Sequence, residues 1–124
     1  MPQAIETVDE LQEYLVGVAG RADGHAPGVQ SVILALAGAI VLFKDPGAEL
    51  SILTREGLRG NVLWVVIGGE RYALSYNHDD DTVEIRRRSW RGPVVARFDN
   101  NTTAMEVRRI FAELHAGGAG ERQQ

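Results

Sequence analysis

The chain has 124 residues, of which 44% are hydrophobic and 24% are charged, as in an ordinary soluble globular domain. Its formal net charge of −4 argues against a dedicated nucleic-acid-binding protein. The absence of cysteine excludes disulfides, thiol nucleophiles and thiolate metal sites.

The N-terminal segment and the most apolar window bear on localisation. Residues 1–13 carry four acids and no base, unlike a secretory signal. The most apolar window, residues 32–43, is shorter than the ~20 residues that a helix needs to cross a bilayer. We therefore expect a cytoplasmic protein that makes no contact with a membrane.

A first helix is predicted over residues 7–20. Thr7 and Glu10 have the spacing of a capping box, in which each side chain accepts from the other residue's backbone amide. Apolar residues then recur at helical spacing on one face: Val8, Leu11, Leu15 and Val18. Gly20 and Gly24 favour the end of the helix.

Residues 29–44 give a mixed signal. Alanines and leucine at 35–37 favour a helix, whereas the apolar residues 40–43 favour a buried strand, with Gly38 as the break. We expect a short helix or a first strand at 29–37 and a strand at 39–44. Asp45-Pro46-Gly47 then predicts a turn, and the next strand follows with Leu50, Ile52 and Thr54 alternating.

The middle of the chain predicts an antiparallel meander, because short apolar segments alternate with turn residues. Residues 62–67 are almost all apolar, as in a central strand covered on both faces. Gly68-Gly69 predicts a two-residue hairpin loop. That loop pairs Ile67 with Glu70, Val65 with Tyr72, and Leu63 with Leu74. Further strands are predicted around 83–87 and 94–98.

A second capping box, Thr103 with Glu106, starts a helix predicted over 103–115. Its apolar face is formed by Val107, Ile110, Phe111 and Leu114. The predicted fold is therefore α+β: a meander of five or six antiparallel strands, with an N-terminal and a C-terminal helix packed on the sheet. We expect one domain over 1–116 and a flexible tail over 117–124.

The sharpest polar cluster is His78-Asp79-Asp80-Asp81. Three carboxylates beside an imidazole suit a hard cation, but consecutive side chains on extended backbone point alternately apart. Because Asn and Asp favour turns, we interpret residues 77–81 as a solvated hairpin turn and expect no metal site and no cofactor. A metal-binding or catalytic role for this cluster is the alternative.

A basic segment follows the acidic turn. It contains Arg86, Arg87 and Arg88, then Trp90 and Arg91, and it ends at Arg97. Strand alternation places Arg86 and Arg88 on one side and Arg87 on the other. Glu84 can pair locally with these arginines. Because the acidic cluster lies close by, we interpret the segment as a solvated or protein-facing strand and consider nucleic acid an unlikely partner.

Neither the aromatic residues nor the serine and glycine motifs of the chain indicate a catalytic or ligand-binding site. Trp64, Tyr72 and Tyr76 are typical of a core rather than of a ligand pocket, since the hairpin register places Trp64 on the face opposite Tyr72. No serine lies in a nucleophile elbow, and no glycine-rich segment sits between a strand and a helix. We therefore predict no catalytic residues.

The chain resembles two groups of proteins. One consists of the small α+β proteins encoded on integron gene cassettes, which are compact and often oligomeric. The other is the first family of polymorphic-toxin immunity proteins, many of which inhibit deaminase toxins; this resemblance covers residues 7–117. It is carried by the segments 8–11, 60–64, 72–76 and 110–114 running into Gly117. Neither resemblance assigns a role to a particular residue.

Two functional hypotheses result. The first is a non-enzymatic binding protein that acts through its surface on a protein partner or as a homodimer, since an acidic turn beside a basic strand is self-complementary. Its predicted contact residues are Tyr76, Arg86, Arg88, Trp90 and Arg91. The alternative is a small-molecule-binding protein or an enzyme with a pocket between sheet and helices, using Tyr76, His78 and Asp80.

Overall fold

The computed structural model describes residues 3–25, 28–54, 61–77, 79–89 and 91–123. Six strands and three helices occur in this part of the chain. In order they are β1 (Gln3–Ile5), α1 (Val8–His25), α2 (Val32–Phe43), β2 (Leu50–Thr54), β3 (Asn61–Ile67), β4 (Glu70–Asn77), β5 (Thr82–Arg87), β6 (Val94–Phe98) and α3 (Ala104–Gln123). The predicted α+β class is confirmed.

All six strands form one antiparallel sheet whose spatial order follows the chain, β1 to β6. The predicted β3–β4 hairpin is confirmed residue by residue, including the pair Val65 and Tyr72. Gly68 and Gly69 have φ of 60° and 81°, a left-handed conformation that suits glycine. Trp64 consequently lies on the face opposite Tyr72, as predicted.

One face of the sheet carries the main core. Strand alternation directs Leu63, Leu74 and Ile85 to this face, where they are cross-strand neighbours. They pack with apolar residues of α2 and α3, and Phe98 and Phe111 are fully buried there with ring centroids 6.1 Å apart. None of the described α1 side chains belongs to this cluster.

The prediction of a strand at 39–44 is wrong. Residues 32–43 form one helix that runs through Gly38 without a break. Its buried residues, Val32, Leu36, Ala39 and Ile40, follow helical spacing. The error has a physical cause: this helix is apolar on every side, so it lacks the polar face that normally identifies a helix in a sequence.

Strand β1 was not predicted. It has three residues and forms ladder pairs with β2, for example Ile5 with Leu50. So short a segment carries no periodicity of its own. The number of strands still agrees with the prediction of five or six, because β1 is added while the expected strand at 39–44 is a helix.

Both predicted capping boxes are confirmed. The Glu10 amide donates to Thr7 Oγ1 at 3.1 Å, and the Thr7 amide donates to Glu10 Oε1 at 3.1 Å. Thr103 and Glu106 repeat this exchange at 3.2 and 3.1 Å. Helix α1 extends beyond the predicted Gly20, and α3 extends beyond residue 115. The flexibility of residues 117–124 stays a prediction.

Helices α2 and α3 run in the same direction across the core face. Asn100, just before α3, holds the start of α2 by accepting the Ser31 amide at 2.8 Å. At the opposite end, Asp45 accepts the amides of Gly68 and Gly69, each at 2.7 Å. A Cβ on Gly68 would lie 2.7 Å from the His115 carbonyl oxygen, so α3 reaches the same hairpin.

Candidate interaction surface

The polar face of the sheet lies opposite the main core and is organised around Glu84 on β5. Val83 and Ile85 point into the core, so alternation directs Glu84 to the other face. Glu84 is 4% exposed, and it pairs in register with Ser75 on β4 and Arg97 on β6. A buried carboxylate requires compensation by charge and hydrogen bonds.

Three donors supply that compensation. Arg86 Nη2 donates to Glu84 Oε1 at 2.8 Å, and Arg97 Nε donates to Oε2 at 3.0 Å. Asn77 Nδ2 also donates to Oε2, at 3.1 Å. Burial by itself would raise the pKa of the Glu84 carboxyl, but these hydrogen bonds and the nearby Arg86 charge outweigh it and lower that pKa. The predicted local pairing of Glu84 with the arginines is confirmed.

Asn77 also shapes the acidic turn between β4 and β5. Its Oδ1 accepts the amides of Asp79 and Asp80 at 2.9 and 3.2 Å, an arrangement typical of an Asx turn. The side chains of Asp79 and Asp80 are exposed. The predicted hairpin turn is confirmed for the described residues 79–81, and His78 lies outside them.

Tyr76 closes the same turn from the core side. Its hydroxyl donates to Asp81 Oδ1 at 2.6 Å, and its ring packs against the main core. The hydrogen bond to Asp81, followed by burial and by the Asp81 charge, raises the pKa of Tyr76 to about 12. Asp81 has a φ of 54° and lies against Gly28, where a Cβ would collide with its carboxylate.

The basic turn lies at the other end of β5. Arg88 follows the strand with a φ of 73°, so the predicted alternation of Arg86 with Arg88 does not extend to it. Arg88 is exposed, and its Nε lies 3.3 Å from Glu70 Oε1. Arg91 is exposed as well, and its amide donates to Ser89 Oγ at 3.2 Å. Trp90 lies outside the described residues.

We call the exposed residues Asp79, Asp80, Arg88 and Arg91, with Glu84, Arg86 and Arg97 between them, the charged hairpin surface. The two acids and the two arginines lie at opposite ends of a six-residue strand, about 20 Å apart. The sequence predicts this polarity. The sequence also predicts that Glu84 pairs with the arginines, but it does not predict the contact with Asn77, because that depends on the register of β4 and β5.

The predicted site residues that the structure describes therefore divide into four positions. Arg86 belongs to the Glu84 network, Asp80 to the acidic turn and Arg88 with Arg91 to the basic turn. Tyr76 lies on the core face. Among residues 3–25, 28–54, 61–77, 79–89 and 91–123, no three His, Cys, Asp or Glu side chains come together as a metal site would require.

A second polar contact on this face was missed by sequence reasoning. The Arg71 guanidinium lies over the Trp64 ring, 4.9 Å from its centroid. Trp64 is 7% exposed, and its Nε1 is buried without a hydrogen-bond partner in the described part of the chain. Arg71 and Trp64 become neighbours only through the β3–β4 register, in which Trp64 is opposite Ala73 and Arg71 opposite Val66.

A six-stranded antiparallel meander with helices on its core face and paired charges on the other defines a small α+β protein. A family model described as "Integron cassette protein VCH_CASS1 chain" matches residues 11–109. The chain belongs to this integron cassette protein family. The resemblance to integron cassette proteins is thus confirmed, and the resemblance to immunity proteins stays a prediction.

No curated protein shows significant similarity to the chain. Within the described residues, none of the three helices combines the length and the apolar character that crossing a membrane would require.

Proposed function

We propose that this chain is a non-enzymatic binding protein that recognises a protein partner through the charged hairpin surface. The observation that carries the proposal is the separation of exposed charge along β5. Asp79 and Asp80 lie at one end of the strand, and Arg88 and Arg91 lie at the other. A partner with a basic patch and an acidic patch about 20 Å apart fits this arrangement.

The ion pairs of the buried Glu84, between the two turns, support the proposal. Glu84 is engaged by Arg86, Arg97 and Asn77, so the middle of the surface is held by a hydrogen-bonded network in which two guanidinium groups share one carboxylate. The exposed charges at the two ends are then displayed at fixed positions. Such charges act on encounter rates and on partner selection more than on total affinity.

The test is affinity capture with charge-reversed variants. The purified chain is immobilised, and proteins recovered from an extract of cells that carry the gene are quantified by mass spectrometry. We expect a protein that is enriched by the native chain and lost with Arg88→Glu/Arg91→Glu. Its recovery should also fall as salt is raised, because exposed charges are screened.

The matched control is Arg108→Glu/Arg109→Glu. It changes the net charge by the same amount on exposed residues of α3, away from the hairpin. We expect this variant to capture the partner as the native chain does. Equal loss with both variants, or no protein enriched by the native chain, would contradict the proposal.

The alternative function, a pocket formed with Tyr76, His78 and Asp80, has no specific observation in its favour among the described residues. The Tyr76 hydroxyl is engaged by Asp81, and the Asp80 side chain is exposed at the turn. The alternative would gain support from a small molecule whose binding is lost in Tyr76→Phe.

A further inference from the structure

The outer face of helix α2 is apolar and exposed. Leu34, Val41 and Leu42 are 73%, 53% and 68% exposed, and no residue of Val32–Phe43 is charged. A helix that is apolar on all sides is normally buried on all sides. Here one side is covered by the core and the other is not covered by any described residue of this chain.

Gly38 lies at the centre of this face. It is exposed, and a Cβ added there would meet nothing within 4 Å. Glycine is the least favourable helix residue after proline. Because a Cβ would meet open space, packing within the described part of the chain does not explain why position 38 is a glycine. What a missing side chain provides is a flat place at which another backbone can approach closely.

The leucines are symmetric about this glycine. Leu34 precedes Gly38 by four residues and Leu42 follows it by four, so all three lie on one helix face. A two-fold interface requires that when one residue contacts a second, the second contacts the first in return. An antiparallel pair of identical helices crossing at Gly38 meets this condition, because each Leu34 then faces the other copy's Leu42.

We propose that α2 is the self-association surface of this protein, packing antiparallel against α2 of a second copy with the two-fold axis at Gly38. This goes beyond the proposed function, since it uses a different surface and a different partner. Local charge does not oppose a second copy at this face. The chain carries a net charge of −4, and this uncharged face lets identical molecules meet without opposing like charges.

The exposed area indicates how strong the association is. Leu34, Val41 and Leu42 together expose about two complete aliphatic side chains per copy. A standard stable interface buries about 800 Å² on each partner, which is well above this. We therefore expect a rapidly exchanging dimer whose population depends on concentration, with a Kd on the order of micromolar to millimolar.

Analytical ultracentrifugation from about 1 μM to about 1 mM protein tests the dimer. We expect the average mass to rise with concentration for the native chain, and Leu34→Gln/Leu42→Gln to remain monomeric. The control Val8→Gln/Val16→Gln alters equally exposed apolar residues of α1 and should dimerise normally. Concentration-independent monomers, or equal loss with both double variants, would overturn the proposal.

Gly38→Ala separates folding from association. Because the Cβ meets open space, the variant should be at least as resistant to unfolding as the native chain, while its dimer weakens by about tenfold or more. Gly20→Ala is the matched control, since its Cβ also meets nothing within 4 Å on an exposed helix position. Unchanged association in Gly38→Ala would contradict the crossing point.

Cysteine crosslinking tests the register in a chain that has no cysteine of its own. Gly38→Cys should form a disulfide-linked dimer under mild oxidation although its side chain weakens the association, because the two positions face each other across the axis and oxidation traps the dimers that form. Leu42→Cys should not crosslink to itself, since its two copies lie about 12 Å apart along the helix. A mixture of Leu34→Cys and Leu42→Cys should crosslink. Efficient self-linking of Leu42→Cys would exclude the antiparallel arrangement.

Discussion

The Asn100 side chain, in the loop between β6 and α3, caps the start of helix α2. Its Oδ1 accepts the Ser31 amide at 2.8 Å and the Val32 amide at 3.4 Å. Ser31, which occupies the N-cap position itself, makes no capping hydrogen bond with its side chain. The Asn100 amide in turn donates to the Gly28 carbonyl at 2.8 Å. The loop before α3 therefore fixes where α2 begins.

Replacement of Asn100 by alanine should destabilise the protein by about 1 kcal/mol, because two helix N–H groups lose their acceptor. Urea unfolding followed by circular dichroism measures this change. Asn100→Asp keeps an acceptor at the same position and is the control, with an expected loss well below that of alanine. If both variants lose the same stability, the loss of the capping hydrogen bonds is not the cause of the destabilisation.

Replacement of Glu84 by glutamine should lower the free energy of unfolding by about 2 kcal/mol at neutral pH, because charge-assisted hydrogen bonds are lost. The pKa of Glu84 is lowered on folding from its ordinary value of 4.5. Its stabilisation is therefore complete above pH 4.5 and is lost as the pH falls through the lower folded-state pKa. The difference between native chain and variant should shrink accordingly in unfolding experiments in acid.

Glu113→Gln is the control for Glu84. Glu113 also pairs with an arginine, at 2.8 Å, but both side chains are 61% exposed. Loss of this exposed ion pair should change the free energy of unfolding by about 0.3–0.5 kcal/mol or less. An equal effect of the two substitutions would mean that burial does not strengthen the Glu84 network.

Tyr76 should titrate with a pKa of about 12, above its ordinary value of 10.0. Its contribution to stability is then complete below pH 10.0 and is lost as the pH rises through about 12. NMR of the tyrosine ring carbons measures the titration, and Tyr76→Phe assigns the signal. Asp81→Asn should move the pKa back towards 10.0, because the hydrogen-bonded charge is removed. If the pKa of Tyr76 stays at about 12 in Asp81→Asn, Asp81 is not the cause of the shift.

Gly28→Ala should destabilise the fold by about 1–3 kcal/mol, because the added Cβ would collide with the Asp81 carboxylate. Thermal unfolding of Gly28→Ala, Asp81→Gly and the double variant forms a mutant cycle. Asp81→Gly removes the obstacle and tolerates the positive φ, so it should recover part of the loss. Gly20→Ala should instead stabilise α1 by about 0.5–1 kcal/mol. Strictly additive effects would show that Gly28 and Asp81 do not interact.

The sequence predicts those parts of the fold that are set by neighbouring residues. The Gly68-Gly69 loop determines the β3–β4 register, and the spacing of Thr7 and Glu10 determines a helix start. It fails where an element depends on distant residues. Helix α2 is identified by what packs on its inner side, and β1 is a strand because β2 is available to pair with it.

The candidate surface follows the same division. The acidic turn and the basic segment are visible in the sequence, and the pairing of Glu84 with Arg86 is a local expectation that holds. Arg97 reaches Glu84 only through the β5–β6 register, and Arg71 reaches Trp64 only through the β3–β4 register. Tertiary partners of this kind have no signature in a single sequence.

The three-residue strand β1 has a consequence for how the molecule assembles and persists. Every other ladder joins strands that follow one another along the meander, whereas β1 reaches β2 across two intervening helices. It should therefore dock last during folding and detach first in native-state hydrogen exchange. Each detachment uncovers the hydrogen-bonding groups of β2, a template for strands of other molecules. We therefore expect β1 to protect this edge of the sheet against aggregation.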